Sequence, residues 1–164
     1  MATADFVPQD PGYAARVAAS FARQAAMQTI GASLAQVAPG RVVIELPFAP
    51  GLTQQHGFLH AGVVTSVMDS ACGYAALSLM EPGVAVLSVE FKVNLLAPAR
   101  GRRFRAHGRV IRAGRTVTVT SAEFLVVEAA DAGPGAAMPG TTDELVAIMT
   151  GTMMTVRDRP GLVD

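Results

Sequence analysis

Residues 54–73, QQHGFLHAGVVTSVMDSACG, hold most of the side chains that could do chemistry: Gln54, His56, His60, Asp69, Ser70 and Cys72. Asp69 stands inside an apolar run, where a carboxylate is costly unless it is hydrogen-bonded or paired. It is either a structural hydrogen-bonding group or an acid held ready to activate water or to attack an electrophile. His60 lies just before the run, as a helix-start contact or as a group that polarises a carbonyl. His56 and His60 stand four apart like zinc ligands, but Gly57 occupies the place of the metalloprotease glutamate and the pair precedes the helix, so no metal is expected. Ser70 and Cys72 lie outside any G-x-S-x-G elbow and read as packing residues. Farther along, Arg100, Arg102, Arg103, Arg105, Arg112 and Arg115 are either a phosphate-binding group or a solvated strand edge that discourages aggregation.

These residues need elements to position them. Residues 12–28 are Ala-rich, with Val17, Phe21 and Met27 punctuated by Arg16 and Arg23, and predict an amphipathic helix. Residues 30–38 and 41–48 flank Pro39-Gly40 as a hairpin, and residues 49–59 form a loop. A long apolar helix begins near His60 and should stop at Glu81-Pro82-Gly83. Residues 84–96 alternate Leu87, Val89, Phe91, Val93 and Leu95 against Val86, Ser88, Glu90, Lys92 and Asn94, the period of a strand with one apolar face. Strands 104–112 and 115–128 meet at Ala113-Gly114. Residues 129–142 read as a loop excursion, and 144–156 as the last strand. The expected class is α+β, one antiparallel sheet wrapped around one central helix, with a helix before it. A single domain over 12–156 lies between tails at 1–11 and 157–164.

The 164 residues are 51% apolar and 16% charged, with no net charge, so no global field draws the chain to nucleic acid or anionic lipid. The lone Cys72 excludes an intrachain disulfide and suits a reducing compartment. The first residues have neither a basic n-region nor an apolar h-region, which makes the cytoplasm the expected location. Residues 61–80 are long enough to cross a bilayer, but Asp69 at their centre would cost about 2.5–3.5 kcal/mol there. A helix buried in protein is expected instead, with no membrane partner.

Gln54, Gly57, His60-Ala61-Gly62 and Asp69 carry a family resemblance. Their spacing is similar to that of the PaaI-like branch of the hotdog-fold acyl-CoA thioesterases, whose loop reads Asn, two residues, Gly, two residues, His-Gly-Gly, and then an acid within the helix. SVEFKVNLLAPA at 88–99, the hairpin at 112–115 and GTMMTV at 151–156 extend the resemblance over about residues 12–156. Two positions depart from the pattern: Gln54 replaces Asn and keeps the amide on a longer stem, while Ala61 replaces the first Gly and keeps its NH but resists a positive φ.

The resemblance implies a hotdog fold and hydrolysis of an acyl-CoA to a carboxylic acid and coenzyme A. Asp69 would activate water or attack directly. The NH of Ala61, with that of Gly62, would hold the oxyanion at the positive end of a helix. His60 would position or polarise the carbonyl, Ser88 would help hold the water, and Gln54 would touch the thioester. Arg103, Arg112 and Arg115 are the expected holders of the coenzyme A phosphates, and no metal or separate cofactor is needed.

Distance adds one constraint. Ala61 and Asp69 are eight residues apart, about 12 Å along one helix, too far to serve one carbonyl. The site should therefore join the helix start of one subunit to Asp69 of another, in a homodimer or a dimer of dimers. Two rival readings share the fold. One is a non-catalytic acyl-CoA binder, suggested by the Gln54 and Ala61 departures. The other is an acyl-thioester dehydratase or hydratase, for which no second acid or base stands at a spacing suited to β-elimination.

Overall fold

The structure is a computed structural model that describes residues 6–128 and 144–162. Helices α1 (Tyr13–Arg23) and α2 (Ala25–Ile30) lead into strands β1 (Ser33–Ala38) and β2 (Arg41–Pro47). A short 3-10 turn, Pro50–Leu52, precedes helix α3 (Ala61–Leu77). Strands β3 (Ala85–Leu95), β4 (Arg103–Ala113), β5 (Val117–Glu128) and β6 (Glu144–Val156) follow. All six strands form one antiparallel sheet in the order β1-β2-β4-β5-β6-β3.

The sheet curls around α3, which buries Val64, Val67, Met68, Ala71, Cys72 and Ala75 against it. The inner face of the sheet meets the helix with Ile44, Leu46, Phe104, Ala106, Phe124, Met149 and Met153, all buried. Phe104 and Phe124 stack with centroids 5.5 Å apart. Full burial of one such side chain is worth about 1.5–3 kcal/mol. Helix and sheet touch most closely at Gly108, where an added Cβ would stand 2.3 Å from the backbone of Ala71. Only a residue without a side chain lets β4 cross the helix there.

Several boundaries differ from the sequence expectation. The helix expected over 12–28 breaks at Gln24 (φ −79°, ψ 90°), and α2 then runs on to Ile30, so β1 starts only at Ser33. Helix α3 ends at Leu77, short of Glu81-Pro82-Gly83. The cause is tertiary. Arg16 of α1 donates to the carbonyl oxygens of Leu77 (3.1 Å), Met80 (2.6 Å) and Glu81, so this chain end is capped by a guanidinium instead of by continued helix. Gly83 does take a left-handed φ of 78°, in the turn before β3 rather than at the helix end. The 129–142 excursion, and residues 1–5 and 163–164 of the two tails, lie outside the described residues.

Strand β3 is the free edge next to β6. Its simple alternation is interrupted by a bulge between Ser88 and Glu90. Val86, Ser88, Phe91, Val93 and Leu95 lie opposite Thr155, Met153, Gly151, Met149 and Ala147, which share the inner face. The bulge thus brings Ser88 onto the same side as Phe91, Val93 and Leu95, whereas strict alternation places it on the opposite side.

Candidate active site

The loop before α3 is a tight turn whose ends are tied down. The NH of Gln54 donates to the Phe58 carbonyl (2.9 Å) and the NH of Gly57 to that of Gln54 (3.0 Å), with Gly57 at φ 81°. Leu59 and His60 donate their backbone NH groups to Ala99 and Leu52. The Gln54 side-chain oxygen accepts from the NH of His56.

His60 then caps α3: its Nδ1 accepts from the NH of Gly62 at 2.9 Å. A Cβ on Gly62 would stand 3.0 Å from that nitrogen, so the glycine gives the imidazole room to close the cap. The Gly62 NH is therefore engaged by His60. The NH of Ala61, first residue of the helix, has no hydrogen-bond partner among the described residues. Alanine suits this position because Ala61 is helical; among non-glycine residues described, only Asp158 has a positive φ. Gln54, Phe58, Ala61, Val64, Leu95 and Val146 line a largely apolar cavity of about 460 Å³ at this helix end.

Two turns along α3, Asp69 points to a different cavity of about 240 Å³, shared with Gln24, Ser70, Tyr74 and Ser88. Asp69 is half-buried rather than sealed in the core. Ser88 Oγ donates to Asp69 Oδ1 at 2.6 Å, a short bond of the charge-assisted kind. With Oδ1 occupied, the second carboxylate oxygen has no hydrogen-bond partner among the described residues. One turn further, Cys72 is wholly buried, and burial pushes its thiol up to about 12; a hydrogen bond to Thr120 works the other way, and the charge of Asp69 adds to the rise. A thiol so held is no nucleophile at neutral pH.

The structure thus brings Asp69 and Ser88 together, and Gln54, His60, Ala61 and Gly62 together, as two groups on opposite stretches of one helix. Within one chain the arginines do not form a single cluster. Arg103 begins β4 and Arg112 stands one residue before its end, roughly 30 Å away along extended chain, and Arg115 lies in the turn beyond. Arg105 is paired with Glu45 (2.6 Å). Sequence reading also missed Gln24. It sits at the break between α1 and α2, lines the Asp69 cavity and accepts a hydrogen bond from Ser70 Oγ at 3.3 Å.

Residues 56–128, from the loop before α3 to the end of β5, match the sequence profile of the thioesterase superfamily. A thioesterase family protein from Silicibacter pomeroyi is 46% identical, with a TM-score of 0.80 over 93% of this chain and 100% of that one. The chain belongs to the thioesterase superfamily. Its helix wrapped in an antiparallel sheet is the superfamily's hotdog fold. The PaaI protein of E. coli shares that fold, with a TM-score of 0.74 over 90% of this chain and 96% of that one at 17% identity. Among sequence relatives, the 1,4-dihydroxy-2-naphthoyl-CoA hydrolase of Listeria monocytogenes is 28% identical over 92 residues, 56% of this chain and 75% of that protein. A Saccharolobus solfataricus protein described as an esterase is 36% identical over 85 residues, and the chain spans 60% of its length. The superfamily match includes His60, Ala61, Gly62, Asp69 and Ser88, whereas α1 and α2, with Gln24, precede it. No described helix is long and apolar enough to cross a membrane.

Proposed function

We propose that this protein hydrolyses acyl-CoA thioesters in a site completed by a second copy of the chain. The observation that carries the reading is the division of labour along α3: a carboxylate oriented by Ser88 faces one cavity, and an uncommitted helix-start NH faces another. Neither cavity holds both groups within one chain.

Strand β3 supplies a way to join them. It is an edge strand with exposed Leu87, Val89, Phe91 and Leu95, an unpaired apolar edge of the kind that pairs with another chain. Leu87 and Ser88 border the Asp69 cavity, while Leu95 borders the Ala61 cavity. Antiparallel pairing of two β3 strands about a two-fold axis near their middle would set the Asp69 cavity of one copy against the Ala61 cavity of the other.

In that site water attacks the thioester carbonyl carbon and gives its proton to the free oxygen of Asp69. The carbonyl oxygen becomes an oxyanion on the Ala61 NH, supported by the dipole of α3. His60 acts by holding the helix start in shape, and Gln54 forms a polar wall beside the same NH. The tetrahedral intermediate then collapses, the carbon–sulfur bond breaks, and the proton on Asp69 passes to the departing coenzyme A thiolate. Water is the only co-reactant. Arg103, near the Ala61 end of the sheet, and Arg112 and Arg115, near the Leu87 end, offer guanidinium groups to the coenzyme A phosphates. The lone thiol fits work in the reducing cytoplasm.

Two measurements test the reading. Purified protein and Asp69→Asn are assayed on a panel of acyl-CoAs by thiol release; equal rates would remove Asp69 from the mechanism, and tight binding without turnover would make the protein a binder only. Asp69→Asn is then mixed with His60→Ala after unfolding and refolding together. Recovered activity on mixing supports a site shared between copies, and none would place each site within one chain.

A further inference from the structure

We infer that Gln24 is a specificity-determining residue, selecting acyl groups that carry a hydrogen-bond acceptor remote from the thioester; the inference rests on the thioesterase reading above. The Asp69 cavity has two kinds of wall. Val86 and Leu87 of β3 are apolar, and a Cβ at Gly73 of α3 would meet nothing within 4 Å, so the cavity has open space beside that helix. The polar part of the lining is Gln24, Ser70 and Tyr74, beside Asp69 and Ser88.

The backbone accounts for Gln24 being there. An unbroken helix over 12–28 would run on past this point, but the break at ψ 90° turns the chain, and Gln24 serves as the residue preceding α2. Its side-chain oxygen accepts a hydrogen bond from Ser70 Oγ at 3.3 Å. Amide geometry then leaves both hydrogens of its nitrogen for another acceptor. Ser70 is buried and its donor is spent on Gln24. Tyr74, edge-on to Phe21 with centroids 5.6 Å apart and 3.4 Å from Ser20 through its hydroxyl, is held from behind by α1. The donors not committed to the fold thus sit on Gln24, in the same cavity as the carboxylate that meets the thioester.

A chamber with a donor on its wall prefers a group that satisfies it, because an alkyl group in the same place leaves that donor desolvated and unpaired. An oxo group or a carboxylate remote from the thioester fits this chemistry; a plain alkyl chain of the same length does not. Gln24 acts on which acyl group is taken, and Asp69 on whether it is hydrolysed.

The test compares kcat/KM for levulinoyl-CoA, which carries a remote oxo group, with pentanoyl-CoA, its unsubstituted counterpart. An oxo group accepts and never donates, so it reads the Gln24 amide alone. The wild-type protein should favour the oxo ester by about tenfold, the scale of one hydrogen bond. Gln24→Leu should bring the ratio to about one while pentanoyl-CoA is still hydrolysed, and Gln24→Glu, which keeps length but has no donor, should do the same. Turnover of pentanoyl-CoA doubles as the check that each variant is folded. An unchanged ratio in both variants, or no oxo preference in the wild type, overturns the role of Gln24 and leaves the thioesterase reading standing. Failure of the wild type to hydrolyse either ester, with no difference from Asp69→Asn, overturns both.

Discussion

Ser88 Oγ lies 2.6 Å from Asp69 Oδ1, a hydrogen bond that ties the middle of α3 to the edge strand β3. The contact exists because the bulge beyond Ser88 turns its side chain inward. It fixes one carboxylate oxygen and so decides which oxygen would face water in the proposed reaction.

Replacing Asp69 by Asn should lower kcat by about 10²–10⁴ with the fold intact, the range for losing a general base. Ser88→Ala should cost less, about tenfold in kcat, since the carboxylate remains but its orientation is lost. Thiol-release kinetics with circular dichroism on each variant check both, and a Ser88→Ala rate equal to wild type would reduce the bond to a structural one.

His60 has a measurable structural part. Its Nδ1 caps α3 on the Gly62 NH, so His60→Ala should destabilise the protein by about 1 kcal/mol. Asn is a good capping residue, and His60→Asn should restore most of that loss. Urea unfolding of the three proteins gives the comparison, and any rate lost by His60→Asn at restored stability measures what the imidazole does beyond capping.

Arg16 should matter to stability without touching the site. It binds the carbonyl oxygens of Leu77, Met80 and Glu81, and its Nε, 3.3 Å from Asp10 Oδ2, forms an ion pair without hydrogen-bond geometry. Arg16→Leu takes the donor from the Met80 and Glu81 carbonyls, while that of Leu77 keeps the NH of Met80, and should cost about 2–3 kcal/mol. Thermal unfolding of Arg16→Leu and Arg16→Lys checks this, with Lys recovering only part because it lacks the planar fork.

Cys72 should be silent in the folded protein and visible on unfolding. Its thiol, raised from 9.0 to about 12, stays protonated in the fold, so the unfolded chain ionises first as the solution turns alkaline. This contribution is intact below about pH 9 and is lost progressively toward pH 12, by up to about 1.4 kcal/mol per pH unit. Ellman's reagent should find no thiol in native protein at pH 8 and one after denaturation, and Cys72→Ala should flatten the alkaline fall in stability.

The legible parts of the fold are those set by local rules. The apolar run broken by Asp69, the Pro39-Gly40 and Ala113-Gly114 turns and the alternation of β3 each report a neighbourhood that the chain builds from adjacent residues. The split at Gln24 is not of this kind. Nothing in an Ala-rich stretch marks position 24, and the chain turns there as it meets α3 and the sheet. The bulge that carries Ser88 inward is likewise set by pairing with β6, which alternation alone does not describe. The spread of the arginines is illegible for the opposite reason: closeness in sequence becomes distance within one chain when the intervening residues are extended.

In the proposed pair, each α3 has its first amide in one reaction centre and its aspartate in the other. The two centres therefore share a rigid moving part, and a ligand that tilts one helix would shift a proton acceptor here and a charge-stabilising donor there in the same motion.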